Sequence, residues 1–193
     1  MNSALLTYKT NCCKVISKDQ QSIENNLKTN RSDFIMNTLN VGDTAPLFTL
    51  NNENDEPVSL TDYIGKQQVL IYFYPKAMTP GCTVQAQGLR DIKAELTEFN
   101  TVVFGISPDE VKRLIKFCQR DELNFSLLSD VDHQVADQFG VWGLKKFMGK
   151  EYDGIHRLSF LIGLDGKISH VFNKFKTKEH HDVVLAVLNE LKK

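Results

Sequence analysis

An apolar run at residues 69–74, Val69-Leu70-Ile71-Tyr72-Phe73-Tyr74, stops at Pro75 and is followed by a short polar stretch that leads to Cys82. Six consecutive apolar residues without alternation are what a strand covered on both faces requires. Residues 102–106 repeat the pattern, so the chain needs a sheet with helices over it. Leu89, Ile92, Leu96 and Phe99 follow Cys82 at helical spacing and predict helix there. Val183, Val184, Val187, Leu188 and Leu191 mark one face of a closing helix. Residues 158–164 and 167–172 flank Asp165-Gly166, a hairpin signal. Short edge strands are expected at 48–50 and 58–60, with a polar turn between them. The reading is one α/β domain over residues 41–193, a common single-domain size.

The way Cys82 is delivered bears on chemistry. A buried strand that turns into a helix N-terminus is a place where anions bind. Pro80 suits the first helical position and Thr79 the cap before it. Cys82 then falls in the first turn, where backbone N–H groups favour negative charge, and the thiolate is the reactive form of cysteine. An ordinary thiol, with a pKa of about 8.5, is about 3% ionised at neutral pH, while one near 6 is roughly 90% ionised. That difference corresponds to roughly 3.4 kcal/mol. A helix terminus supplies about 0.3–1 kcal/mol and at most about 2. A reactive thiol here therefore needs a cation as well. Arg157, in Gly154-Ile155-His156-Arg157-Leu158-Ser159, precedes an apolar run and is the best candidate. An ordinary charge at a strand edge looks the same, and the residues alone leave both readings open.

Pro75-x-x-x-Thr79-x-x-Cys82 resembles the active-site motif of the peroxiredoxins. The longer stretch Tyr72-Phe73-Tyr74-Pro75-Lys76-Ala77-Met78-Thr79-Pro80-Gly81-Cys82-Thr83 is similar to the peroxiredoxin Q, or bacterioferritin comigratory protein, branch. Gly140-Val141-Trp142-Gly143, Phe147-Met148-Gly149-Lys150, Tyr152-Asp153-Gly154-Ile155-His156-Arg157 and His180-His181-Asp182-Val183-Val184 extend the resemblance in order toward the C-terminus. It implies a thioredoxin-like fold, a central mixed β-sheet flanked by helices. It also implies a thiol-dependent peroxidase, acting on hydrogen peroxide and organic hydroperoxides in antioxidant defence and redox homeostasis. Cys82 would be the peroxidatic cysteine, which becomes a sulfenic acid. Thr79 would orient the peroxide and hydrogen-bond the thiolate, Pro75 would shield the pocket, and Arg157 would stabilise the developing charge. The resemblance further implies no cofactor, recycling by thioredoxin or a similar thiol reductant, and a monomer rather than a stable oligomer.

The second thiol departs from part of that family. Many relatives carry a resolving cysteine five residues after the first, where this chain has Gln87, which cannot form a disulfide. Other relatives place the resolver on the next helix, and Cys118 fits that class. Read from the residues, Ser107-Pro108-Asp109-Glu110 is a capping box that opens a helix reaching about residue 120. Val111, Leu114, Ile115 and Cys118 share one apolar face of it. Cys118 is therefore either the resolver or a small packed thiol, since free cysteine is often buried. If it is structural, an external thiol would reduce Cys82 in a one-cysteine cycle. A third possibility uses the same thiol as a redox sensor in an interaction protein.

Composition narrows the rest. Residues 1–37 are rich in Asn, Lys, Ser and Gln without sustained periodicity, which favours a disordered extension. Cys12 and Cys13 lie in it, leaving a docking or redox tail as the alternative to a segment without function. Four cysteines without a secretion signal point to a reducing compartment, the cytoplasm. A formal net charge of −1 with no basic block excludes a nucleic-acid footprint, and no apolar run is long enough to span a membrane. His133, His156, His170, His180 and His181 lack metal-site spacing and read as caps, surface or packing residues. Trp142 and Phe147 read as core or pocket wall, in a loop that could also meet a partner.

Overall fold

The computed structural model describes residues 38–147 and 149–192. The expectations for residues 1–37, Cys12 and Cys13 among them, lie outside the described residues. Two short strands, β1 (Thr49–Asn52) and β2 (Pro57–Ser59), precede β3 (Gln68–Phe73). Next come helices α1 (Pro80–Asp91) and α2 (Lys93–Glu98), strand β4 (Thr101–Ser107), helix α3 (Val111–Asp121) and strand β5 (Ser126–Ser129). A short helix α4 (Gln134–Gln138) leads to the hairpin β6 (Trp142–Phe147) and β7 (Lys150–Ile155). Strands β8 (Ser159–Ile162) and β9 (Ile168–Phe172) and helix α5 (His180–Leu191) close the chain.

Seven strands form one mixed sheet in the order β2-β1-β5-β4-β3-β8-β9. β4 runs parallel to β3 and β5, while β8 is antiparallel to β3 and β1 to β5. This is the mixed sheet expected, and β3 explains why its sequence does not alternate. Val69, Ile71 and Phe73 pack on one face with Phe104, Phe139 and Phe160. Leu70, Tyr72 and Tyr74 pack on the other with Leu89, Phe117, Val184 and Leu188 from α1, α3 and α5. Both faces are covered, so every position is apolar. Burying each of these side chains contributes about 1.5–3 kcal/mol. Gly105 lies opposite Tyr72 in β4, and a Cβ there would come within 2.7 Å of the tyrosine ring and hydroxyl. Tyr74 still donates its N–H to Ile106 O at 3.1 Å, after which Pro75 has no N–H to extend the ladder. The chain must leave the sheet there.

Two expectations are corrected and one is refined. The helical stretch after Cys82 divides at Ile92, whose ψ of 20° leaves helical geometry. Ile92 and Leu96 nevertheless stay buried, so the apolar spacing runs across the break and conceals it. The capping box does not form, because α3 begins at Val111 with Glu110 as its cap residue. Asp109 is drawn away instead: its Oδ2 accepts the Ala77 N–H at 2.6 Å and the Ser107 hydroxyl at 3.0 Å. Finally, Trp142 and Phe147 lie in strand β6 rather than in a loop, paired with Ile155 and Lys150. Trp142 stacks on His133 with ring centroids 4.1 Å apart.

Candidate active site

Cys82 is the third residue of α1 and is 1% exposed. Pro80 opens the helix where a missing N–H costs nothing, and Thr79 takes the cap position in extended backbone. The Thr79 side chain does not cap. The loop turns through Met78 at φ 65°, and the Thr79 hydroxyl donates to Lys76 O at 3.0 Å. Its proton is thereby engaged in the loop, and the oxygen keeps its acceptor capacity. Pro75 is half-buried at the end of β3.

Arg157 comes from the segment between β7 and β8. Its Nη2 donates to Cys82 Sγ at 3.1 Å, and Nη1 donates to Gln85 Oε1. Gln85 sits one turn after Cys82 and is 1% exposed. Behind it, Gln85 Nε2 lies 3.1 Å from His180 Nδ1, and His180 Nε2 lies 3.0 Å from Ser159 Oγ. His180 and Ser159 are fully buried. The sequence reading names Cys82 and Arg157 but misses Gln85 and Ser159, and takes His180 as a cap, surface or packing residue. A polar residue three positions after the thiol, on the same helix face, was the available signal. A second cation, Lys145 of β6, is half-buried and donates to Ile155 O at 2.9 Å. Burial pushes its pKa down, Arg157 adds to that, and Cys82 opposes it. Burial also lowers the pKa of His156, and Lys145 lowers it further.

Cys118 is half-buried on α3, beside rather than at the centre of the buried face, which is carried by Leu114 and Phe117. Burial pushes its thiol up to about 12, and Glu53 adds to the shift. While α3 is folded this thiol stays protonated at neutral pH. Both ends of α3 are fastened to the Cys82 region. At its start, Arg113 Nη2 donates to Ala77 O at 2.8 Å, and Arg113 Nε pairs with Asp109 Oδ1 at 3.1 Å. At its end, Arg120 Nη2 donates to Thr83 Oγ1 at 2.8 Å and Arg90 Nη1 to Asp121 O at 2.7 Å. Gln87 donates to Asp121 Oδ1 at 3.0 Å, so the residue that cannot resolve Cys82 ties α1 to the helix that carries Cys118.

Among the described residues, no group of His, Cys, Asp and Glu side chains could hold a metal ion, and no helix is long and apolar enough to cross a membrane. The arrangement is a buried thiol in the first turn of a helix with a guanidinium donor on its sulfur.

Comparison with known proteins gives the same direction. Residues 41–171 match the AhpC/TSA family. The chain is 62% identical over 156 residues to a putative peroxiredoxin Bcp of Haemophilus influenzae, covering 81% of this chain and 100% of the relative. It is also 62% identical over 155 residues to peroxiredoxin Bcp of Escherichia coli, covering 80% and 99%. Among solved structures, peroxidoxin BcpB of Mycobacterium tuberculosis superposes with a TM-score of 0.71 at 35% identity, covering 80% of this chain and 99% of that one. Xanthomonas campestris peroxiredoxin Q gives a TM-score of 0.71 at 32% identity, over 76% and 92%. The chain therefore belongs to the AhpC/TSA family, in its peroxiredoxin Q, or bacterioferritin comigratory protein, branch, and is a thiol-dependent peroxidase.

Proposed function

We propose that Cys82 is the thiol that attacks peroxide, assisted by Arg157, Thr79 and Pro75. The observation that carries this is the Arg157 Nη2 donor 3.1 Å from Cys82 Sγ in the first turn of α1. The guanidinium supplies the charge that a helix terminus alone cannot. The Cys82 sulfur attacks one peroxide oxygen, forming an S–O bond as the O–O bond breaks. The departing oxygen anion takes a proton and leaves as water or an alcohol. Arg157 is a fixed donor beside the atoms where that charge develops, which lowers the barrier. Thr79 Oγ1, its proton held by Lys76 O, accepts from the peroxide hydroxyl and orients it. Pro75 screens the pocket from water. Both hydrogen peroxide and organic hydroperoxides are substrates. The alkyl peroxide reduction activity of the similar Xanthomonas campestris bacterioferritin comigratory protein supports the second class.

The resulting sulfenic acid is then attacked by the Cys118 sulfur, giving an intramolecular disulfide and water. Thioredoxin or a similar dithiol returns both cysteines to the reduced form. The protein works as a monomer in the cytoplasm. One observation favours a second reading. Cys118 is folded into α3 with its pKa at about 12, as suits a structural thiol in a one-cysteine cycle reduced from outside.

Mass spectrometry after one equivalent of peroxide tests both. Cys82→Ser should abolish turnover, because a serine hydroxyl stays protonated and is a poor nucleophile toward peroxide. Substantial turnover by that variant would move the chemistry to another residue. In the native protein, a peptide map showing an 82–118 disulfide supports the two-cysteine cycle. Cys82 left as sulfenic acid, or as sulfinic acid once a second equivalent is added, with Cys118 free selects the one-cysteine cycle.

A further inference from the structure

Hydrogen-bond logic runs outward from Arg157 without freedom of choice. A guanidinium has donors and no acceptor, so the Gln85 atom that meets it is the carbonyl oxygen Oε1. The Gln85 NH2 group then faces His180 Nδ1 at 3.1 Å. An amide NH2 also only donates, so Nδ1 must accept and carries no proton. The one proton of a neutral imidazole is then on Nε2, which donates to Ser159 Oγ at 3.0 Å. Gln85 is 1% exposed and both Ser159 and His180 are 0% exposed. Water cannot replace a missing partner there, and a flipped amide would leave buried polar atoms unpaired.

We propose that His180 is a positioning residue for peroxide reduction. As a neutral imidazole protonated on Nε2, it fixes the Gln85 amide with its oxygen toward Arg157, and so holds the guanidinium on the Cys82 sulfur. The proposal rests on the reading of Cys82 as the attacking thiol. The surroundings of His180 keep it neutral. Burial pushes its pKa down to about 3, and the charges of Arg157 and of His181 on its own helix act in the same direction. Tyr72 of β3, with its ring centroid 6.4 Å away, is itself kept neutral by burial. Gln85 of α1 and Ser159 of β8 are the polar groups that complete the enclosure. His180 is the first residue of α5, so the docking of that helix on α1 sets the geometry of a site 95 residues earlier in the chain.

Two measurements test this. Nitrogen NMR of the reduced native protein should show His180 with an unprotonated Nδ1 and a protonated Nε2, unchanged down to about pH 4. A protonated ring at neutral pH, or a proton on Nδ1, overturns the proposal, and this result does not depend on which thiol reacts. The second is a double-mutant cycle on the rate of peroxide consumption, read with the pH profile of Cys82 alkylation. His180→Phe keeps a ring but removes the acceptor, and should slow the reaction about tenfold and move the alkylation profile to higher pH. His180→Asn retains an acceptor near the Nδ1 position and should keep most of the rate. In the Gln85→Leu background, His180→Phe should cause no further loss. A loss that persists undiminished there, or native kinetics in His180→Phe, overturns the proposal. Should His180→Phe fail to fold, the NMR signature decides. Turnover by Cys82→Ser would sink the reading of Cys82 and leave the tautomer result standing.

Discussion

At Cys82, the distance that matters is the 3.1 Å to Arg157 Nη2, because a helix start supplies at most about 2 kcal/mol of the roughly 3.4 kcal/mol that a mostly ionised thiol needs. Arg157→Ala should therefore slow peroxide reduction about 100- to 1,000-fold with the fold intact, the size of effect seen when one fixed donor is removed from a developing anion. The alkylation profile of Cys82 should move to higher pH in the same variant, and an unchanged midpoint would show that Arg157 is not the partner cation. Thr79→Val should act in the same direction through substrate orientation, since it removes the oxygen proposed to accept from the peroxide, along with the hydroxyl that donates to Lys76 O. Stopped-flow rates under pseudo-first-order peroxide read both changes. Thr79 also shows how a residue can be legible in place and not in contact. Its position before Pro80 marks the cap, but the left-handed Met78 turns its hydroxyl to Lys76 O instead.

Helix α3 joins the two halves of the proposed cycle. Cys118 is quiet while α3 is folded, and α3 is fastened to the Cys82 loop at Ala77 and to α1 at Thr83, Arg90 and Gln87. Disulfide formation with Cys82 must break part of that set. Peroxide should then give an intramolecular 82–118 disulfide, and Cys118→Ser should lose thioredoxin-dependent turnover while still consuming the first equivalent. Amide exchange over residues 108–120 should be faster in the oxidised protein, and equal protection in both forms would argue against opening. Closing a loop of about 36 residues restricts the unfolded chain by roughly 3–4 kcal/mol, so the oxidised form need not be fragile. The contact of α1 with α5 makes another test. Gly88 lies mid-helix, and a Cβ there would come within 2.6 Å of His181 Nδ1. Helix propensity alone predicts that Gly88→Ala stabilises by about 1 kcal/mol. The close approach reverses the sign, and a net loss of about 1–2 kcal/mol should appear as a lower melting temperature.

For the molecule as a whole, a chain starting at Met36 should keep full peroxidase activity and nearly full thermal stability, because the Haemophilus influenzae relative is matched over 100% of its length without the remainder. Activity assays and thermal melts of the shortened and full chains check this, and a clear loss in either would assign residues 1–35 a role. While the mixed strand directions came only with the family resemblance, a sheet covered by helices and Cys82 at a helix start were legible in the residues. Their determinants are local: a strand covered on both faces must be apolar throughout, and proline and threonine act within a single turn. The β6–β7 hairpin was not legible, since its exposed strand β7 carries no periodic apolar signal. The start of α3 differs because the Ser107 hydroxyl that would cap it donates to Asp109 Oδ2, which also holds the Ala77 N–H, 32 residues away. The same reason applies to the site. Arg157 meets Cys82 across 75 residues and Gln85 across 72, and His180 meets Gln85 across 95. Periodicity and capping act over a few residues, so they set where each helix and strand lies. Which donor then faces which acceptor is decided by how those elements pack around β3, where a buried polar atom must find a partner among whatever the fold brings to it.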